Sequence, residues 1–369
     1  MAGSKKSSRR SPKPSRSPEL RLGPRHKKGH AYLIAEVGPN YRMGSQERDL
    51  AMCQTLIRLA AGAGVDAVKF QAYSPGGMYA DGPAKFAHLG RSGLKLSEVV
   101  GELSLMQEML PKLAAMCREH GVDFLCSAFS AEDFAVVDPL VAAHKIASSE
   151  INHSELLKLA ARSGKPILLS CGASDWDDVA WALEQLDNAG AGPVCLLQCT
   201  AAYPAPPESI NLAAMTELGR RFSRAYGFSD HSENPLAAPL GAVALGARAI
   251  EKHYTLCREL PGPDHSFAVE PAELAELVRH VRLLEKSLGS AEKTVDRHEK
   301  PVRRIARRAI HTTRGISKGE VFQLGDNIAI LRPGSRKPGA HPKLLAQIEG
   351  KKARRALSQG HGLQLNDWE

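Results

Sequence analysis

Polar residues able to hold or activate an anion recur along this chain at the ends of short apolar runs. Glu36 ends the run Tyr32–Val37, Lys69 and Gln71 close Asp66–Gln71, and Ser127 falls in Val122–Ala128. Lys145 and Ser148 close His144–Ser148, Ser170 closes Pro166–Cys171, and Val194–Cys199 leads into Thr200. Ala225–Asp230 brings Ser229, Asp230 and then His231, and Arg248–His253 carries Glu251 and His253. Two lysines with several hydroxyls make a cradle for a phosphorylated, carboxylated anion. One lysine could instead form a Schiff base, and the plainest alternative is an ion pair with Glu36 or Glu150. Two imidazoles on adjacent strands could share one divalent cation as a Lewis acid, with water and substrate oxygen completing its shell. Asp230 and Glu251 could then bind its waters or orient the ring nitrogens. The alternative is a pair of polar histidines bonded to each other.

The elements that must position these residues follow from the spacing. Helix-like apolar periodicity covers Arg48–Ala63, Glu102–His120, Ser154–Arg162, Asp175–Asn188, Asn211–Phe222, Pro235–Gly246 and Pro271–Leu288. Eight apolar runs alternating with helices predict an α/β fold, a (β/α)8 TIM barrel over 31–288, whose active site forms at the C-terminal ends of the strands. The Gly-rich insertion Ala72–Gly101 is a candidate lid or substrate loop on that rim. Residues 289–301 read as a linker. Short strands are expected after it at Ala309–Thr313, Gly319–Gln323, Ile328–Leu331 and Gly350–Leu357, in a small mixed domain over 302–369. So small a core needs a neighbour, either its own barrel or a partner chain.

The net charge of +9 over 369 residues resides in the first thirty, which hold ten Lys and Arg against Glu19 alone. That segment, rich in Ser and Pro, reads as a disordered basic tail over 1–30. It is either an electrostatic contact or a solvated, dispensable extension. The rest balances, so no nucleic-acid partner is expected for the folded part. No run approaches the ~20 apolar residues of a membrane span, and the N-terminus lacks the apolar core of a secretory signal. Seven cysteines without a CxxC pair suggest reduced thiols and a cytoplasmic location.

Eight motifs in order carry a resemblance. They are Ile34–Gly38 (IAEVG), Val68–Gln71 (VKFQ), His144–Glu150 (HKIASSE), Ile167–Gly172 (ILLSCG), Gln198–Thr200 (QCT) with Tyr203 and Pro204, Gly227–His231 (GFSDH), Ile250–His253 (IEKH) and Gly262–His265 (GPDH). From about Ala31 onward the chain resembles the sialic acid (N-acetylneuraminate) synthases and their legionaminic and pseudaminic relatives. Its last part, with Gly319-Glu320 and Leu331–Gly334 (LRPG), resembles their antifreeze-like (SAF) domain. The resemblance implies condensation of phosphoenolpyruvate with the open-chain aldehyde of an N-acetylated hexosamine, typically N-acetylmannosamine. Water attacks the phosphate-bearing carbon, phosphate leaves, and a nine-carbon 2-keto acid forms. It implies a Mn2+ or Mg2+ ion on His231 and His253, and phosphoenolpyruvate on Lys69, Lys145, Ser148, Ser170 and Ser229. It implies acids near the metal's water at Glu36 and Glu251, to which Asp230 is added as a catalytic candidate from its place beside His231. Gln71, Glu150, Tyr203 and Asp264 would lie on the sugar side. Arg332 would reach the N-acyl group of sugar bound in the other subunit of a domain-swapped homodimer. Ala201 stands where Asn or Ser is common. Ala340–Lys343 and Gly350–Lys352 look like the pseudaminic branch and Leu260–Asp264 like the neuraminate branch, so the sugar stays open. Without the resemblance, the residues indicate a metal-assisted lyase or transferase for a small anion. A rival of another class is a carbohydrate-binding protein on a decayed synthase scaffold. Intact Lys69, Lys145, His231 and His253 argue against it.

Overall fold

The computed structural model describes residues 20–74, 78–79, 101 and 103–369, which form two compact units dividing between Gly289 and Ser290. Most of the expected rim insertion 72–101 and the first part of the tail lie outside the described residues.

The first unit is a closed parallel barrel. Its strands are β1 (Tyr32–Glu36), β2 (Ala67–Ala72), β3 (Asp123–Ala128), β4 (His144–Ile146), β5 (Ile167–Ser170), β6 (Val194–Cys199), β7 (Ala225–Asp230) and β8 (Ala249–His253), with β8 pairing back onto β1. Between and after them run α1 (Gln46–Ala63), α2 (Leu110–His120), α3 (Ala131–Val137), α4 (Ser154–Arg162), α5 (Trp176–Asn188), α6 (Leu212–Phe222), α7 (Ala237–Ala244) and α8 (Pro271–Leu288). The α2 region differs from the expected Glu102–His120 because Pro111 opens the helix, its missing N–H costing nothing in the first turn. Seven-residue α3 is too short for a periodic signal. The Ser130 hydroxyl, accepting from the Asp133 N–H, starts it.

Successive strand residues face opposite sides, and the inward set is layered. Tyr32, Ile34, Ala67, Leu125, Ala143, Leu168, Cys195, Leu197, Ala225 and Ala249 pack one apolar core near the N-terminal end. The next inward residues toward the C-terminal ends are charged or polar. The charged layer therefore stands on an apolar floor that keeps water from below.

Leu20 and Leu22 belong to that same apolar core. Residues 20–30, expected within a disordered tail, are instead folded against the barrel. Leu22 is fully buried, the Arg25 N–H donates to Asp123, and the Leu22 N–H donates to His26 Nδ1. The leucines hold the segment there, which basic composition alone conceals. Replacing Leu22 by alanine should cost ~2–5 kcal/mol, read as a lower urea midpoint at unchanged slope. A midpoint equal to wild type would show that the plug adds nothing to stability.

In the second unit β9 (Ala309–Thr312) pairs antiparallel with β10 (Ile328–Leu331). Ile310, Ile316, Phe322, Ile328, Ile348, Leu357 and Leu363 make its core. The strands expected at Gly319–Gln323 and Gly350–Leu357 form only isolated bridges, such as Val321 with Lys352 and Ile316 with Leu357. A side chain does part of the ladder's work: Asn327 accepts from the Gln323 N–H at 2.8 Å and donates to the Val321 carbonyl at 2.8 Å. A helix, α9 (Glu299–Ala306), spans the end of the expected linker with none of its residues buried. The charge balance expected beyond residue 30 is a sum of unlike parts. Residues 31–289 hold 22 Lys and Arg against 31 Asp and Glu, while 290–369 hold 17 against 8. The barrel is acidic and the C-terminal unit basic by nine charges each. All seven cysteines are free thiols, six of them buried. No helix among the described residues is long and apolar enough to cross a membrane.

Candidate active site

Strand register brings the polar ends together. Glu36 pairs with Lys69 on one side and His253 on the other, Ser127 with Gln71 and Lys145, and Ser229 with Cys199 and Glu251. Their side chains form one buried charge network. Lys69 Nζ lies 2.8 Å from Glu36 Oε2, 3.8 Å from Glu251 Oε1 and 3.4 Å from the Ser127 hydroxyl. Lys145 Nζ lies 3.8 Å from Glu251 Oε1 and donates to the Ile146 carbonyl. Ser229 donates to Glu251 Oε1 at 3.0 Å, and Gln71 donates to Glu36 Oε1 at 2.6 Å. Glu251 thus sits between the two lysines.

The two lysines are not equivalent. Burial opposes charge on Lys69, but Glu251 and Glu36 outweigh it and hold its pKa above the ordinary lysine value. Lys145 is buried as deeply, and that burial pushes its pKa down, only partly offset by Glu251. For Glu251 burial favours the neutral acid, yet Lys145, Lys69 and His253 overcome it and keep the carboxylate ionised. Two lysines face two carboxylates in a buried site, where each charge depends on its partners. Glu251 Oε2 and the Ser170 hydroxyl are buried with no hydrogen-bond partner. Such groups are costly unless a ligand satisfies them. Ser148 lies nearby, accepting from the Gly172 N–H at 2.9 Å. An added Cβ on Gly172 would come within 2.8 Å of that hydroxyl.

The histidines adjoin this network. Their ring centroids are 5.2 Å apart, and Tyr203 stacks on His231 at 4.3 Å. His231 Nδ1 donates to the Thr200 carbonyl at 2.7 Å, leaving Nε2 as the lone-pair nitrogen, and burial lowers the ring's pKa so that it stays neutral. His253 Nδ1 is buried without a hydrogen bond, 3.4 Å from Asp264 Oδ2. A carbonyl that fixes the tautomer of a neutral imidazole is the arrangement metal-binding histidines use. Among the described residues no three His, Cys, Asp or Glu groups are placed to hold an ion together. His231 and His253 are the residues of this site that could hold an ion between them.

Asp230, expected among the catalytic acids, is engaged elsewhere. It faces away from the barrel interior and pairs with buried Lys252, Nζ to Oδ2 2.7 Å, as Lys252 also donates to the Ser232 and Asn234 carbonyls. Ser229 and His231 share the inward face, so alternation along β7 could have excluded Asp230. The pair holds the chain that follows His231. Asp230→Ala should cost ~3–5 kcal/mol by stranding the ammonium, read in urea unfolding. A loss below about 1 kcal/mol would show that Lys252 is satisfied by its carbonyls.

The other expected residues lie as follows. Asp264 reaches His253, and an added Cβ on Gly38 would meet it at 3.1 Å and Glu36 at 3.4 Å, so this glycine leaves the room in which they converge. Glu150 is on the half-buried turn Ser148–Glu150, its carboxyl pushed up by burial. Arg332 follows β10 in the second unit and is exposed. Sequence reasoning missed Phe267, packed on the His253 ring at 5.1 Å, and Cys199, whose sulfur is 3.8 Å from His231 Nδ1. It also missed the Thr200 carbonyl, which has no side-chain signature. A cleft of about 590 Å³ opens beside the histidines, lined by Cys171, Trp176, Gln198, Cys199, Thr200 and Ala201 among others. It reaches Cys199 and Thr200 but not the lysines, so the chemistry belongs to the barrel mouth.

Comparison with known proteins gives a consistent picture. Residues 56–293 match the NeuB family and residues 307–368 the SAF domain. The spore coat polysaccharide biosynthesis protein SpsE of Bacillus subtilis is 38% identical over 354 residues, 91% of this chain and 93% of that one. The N,N'-diacetyllegionaminic acid synthase of Legionella pneumophila is 32% identical over 347 residues, covering 92% and 95%. Among solved structures, the N-acetylneuraminic acid synthetase of Leptospira borgpetersenii, crystallised with citrate, superposes with a TM-score of 0.64 at 30% identity, covering 74% of this chain and 91% of that one.

Proposed function

Since the chain belongs to the NeuB family and ends in a SAF domain, we propose that its barrel condenses phosphoenolpyruvate with an N-acylated hexosamine, releasing phosphate and a nine-carbon 2-keto acid. The observation that carries this reading is the buried pair of lysines at the barrel mouth, flanked by Ser170 with its free hydroxyl. Phosphoenolpyruvate brings a phosphate of about −1.5 to −2 and a carboxylate. Lys69 and Lys145, with Ser148, Ser170 and Ser229, hold these groups. Glu36 and Glu251 already neutralise the lysines, so a bound trianion leaves a negative excess that favours a divalent ion beside it.

His231 and His253 would hold that Mn2+ or Mg2+ ion, and the ion would supply Lewis-acid polarisation of the sugar aldehyde. The enol carbon of phosphoenolpyruvate bonds to the aldehyde carbon, leaving an alkoxide on the sugar. Water then adds to the phosphate-bearing carbon, and Glu251 or Glu36 passes one of its protons to that alkoxide. The carbon–oxygen bond to phosphate breaks, the second water proton leaves with the phosphate, and the ketone forms. Both carboxylates lie within the lysine network that fixes the phosphate, as proton transfer requires. Gln71, Glu150, Tyr203 and Asp264 line the sugar side. The pseudaminic and legionaminic versions differ only in a diacetamido-dideoxy sugar. Turnover of a panel of N-acyl hexosamines, followed by phosphate release with and without Mn2+, tests the reading. Sugar-dependent release is expected, and absence of release with every sugar would point to a non-catalytic carbohydrate binder.

A domain-swapped homodimer fits the charge division: a basic C-terminal unit suits the acidic barrel of a second copy. In that dimer Arg332 presents its fork of donors to the N-acyl carbonyl in the neighbouring subunit. Mixed dimers of Arg332→Ala and Lys69→Met subunits should then regain part of the activity that each parent lacks, because one of the two sites receives both native groups. Mixed dimers no more active than the parents would place Arg332 with its own barrel or outside catalysis.

A further inference from the structure

The C-terminal unit carries a second concentration of charge that this reaction does not use. Lys300, Arg303, Arg304, Arg307 and Arg308 recur at i, i+3, i+4, i+7 and i+8 along and just beyond α9, the spacing that lines one side of a helix. They are exposed and border a groove of about 370 Å³, closed on its other side by Pro338, Gly339 and His341. The Gly339 wall is bare backbone: an added Cβ would lie 2.0 Å from the Ile310 carbonyl. Arg307 donates to His341 Nε2 at 3.2 Å, tying the two walls together.

Among the described residues none of these five cations makes an ion pair. The same unit does pair other arginines, Arg314 with Glu320 and Asp326, and Arg355 with Asp367. Glu320, Asp326 and Asp367 are thus taken up elsewhere. Like charges at helical spacing destabilise a helix, and α9 buries no residue to offset that. The helix dipole favours Arg303 and Arg304 in the last turn, but not Lys300 in the first. Arg307 and Arg308 lie beyond the helix.

We propose that this groove binds a small anion carrying two or more phosphate groups. Guanidinium forks match phosphate oxygens in pairs, and the volume is that of a small-molecule site. The lining holds no Phe, Tyr or Trp on which bases could stack. Recognition therefore falls on the phosphate chain, whether it is an inorganic polyphosphate or the tail of a nucleoside triphosphate.

The test is calorimetric titration of the full chain carrying Lys145→Met, which weakens the barrel centre with least damage, with inorganic tripolyphosphate and separately with a nucleoside triphosphate. Saturable binding is expected, and Arg303→Ala/Arg304→Ala should weaken it about tenfold per arginine without altering turnover in an otherwise native chain. Tighter binding of the nucleotide than of tripolyphosphate would identify the source as nucleotide, and equal binding as polyphosphate. Three results would overturn the proposal. One is no binding of either probe. Another is binding unchanged in the double variant. The third is preference for single-stranded DNA or phosphatidylglycerol vesicles over both probes, which would make the surface a macromolecular dock.

Discussion

Lys145→Met should lower kcat/KM for phosphoenolpyruvate by about 10- to 150-fold, the loss of one charge-assisted contact worth ~1.5–3 kcal/mol. The loss should appear mainly in KM for phosphoenolpyruvate and much less in KM for the sugar. Lys145 is the cleaner of the two lysines to remove. Glu251 keeps Lys69 at 3.8 Å and the Ser229 hydrogen bond, so no carboxylate is left without a cation. Lys69→Met does more damage, because Lys69 pairs Glu36 as well. It should lose a similar factor in activity and ~3–5 kcal/mol of stability from the stranded carboxylate. Steady-state kinetics beside urea unfolding separates the two effects. A borohydride-reducible adduct on either lysine would replace anion binding with Schiff-base chemistry. Equal rises in both KM values would place Lys145 away from phosphoenolpyruvate.

His231→Ala should abolish the response of turnover to added Mn2+ or Mg2+, with a loss of several kcal/mol in transition-state stabilisation. His253→Ala behaves alike, and the two together cost little more than either, since both act on one ion. The fold should survive, because each ring lies at the barrel mouth above the apolar floor. Metal affinity, read from binding of Mn2+ by electron paramagnetic resonance, should fall in step with activity. Near-native turnover after chelation and re-addition of metal would remove the two-histidine site. Retained Mn2+ affinity in both variants would do the same.

Much of this was legible in the sequence because strand and helix periods differ. The runs carrying Glu36, Lys69, Lys145, Ser170, Glu251 and His253 mark five of the eight strands, and the barrel then dictates that their C-terminal ends converge. What the sequence hid has specific causes. Residue type alone made Asp230 look like a partner of His231. Alternation along β7 sends it to the opposite face, where Lys252 holds it. Basic residues around Leu20 and Leu22 masked two apolar anchors that close the barrel's other end. The Thr200 carbonyl fixes the His231 tautomer through backbone, and Phe267 reaches His253 only through a loop that folds back. Neither leaves a local signature. The opposite charges of the two units cancel in the total, so only division of the chain at Gly289 exposes them.

Carbon–carbon bond formation with loss of phosphate through carbon–oxygen cleavage is the chemistry assigned to the lysine–glutamate centre. Phosphoenolpyruvate labelled isotopically at its bridging oxygen tests it most directly, with an N-acyl hexosamine that supports turnover and mass analysis of both products. The expected result is sugar-dependent phosphate that carries the label, in equal amount to an unlabelled nine-carbon 2-keto acid. Label retained in the organic product, or phosphate released at the same rate without sugar, would contradict it.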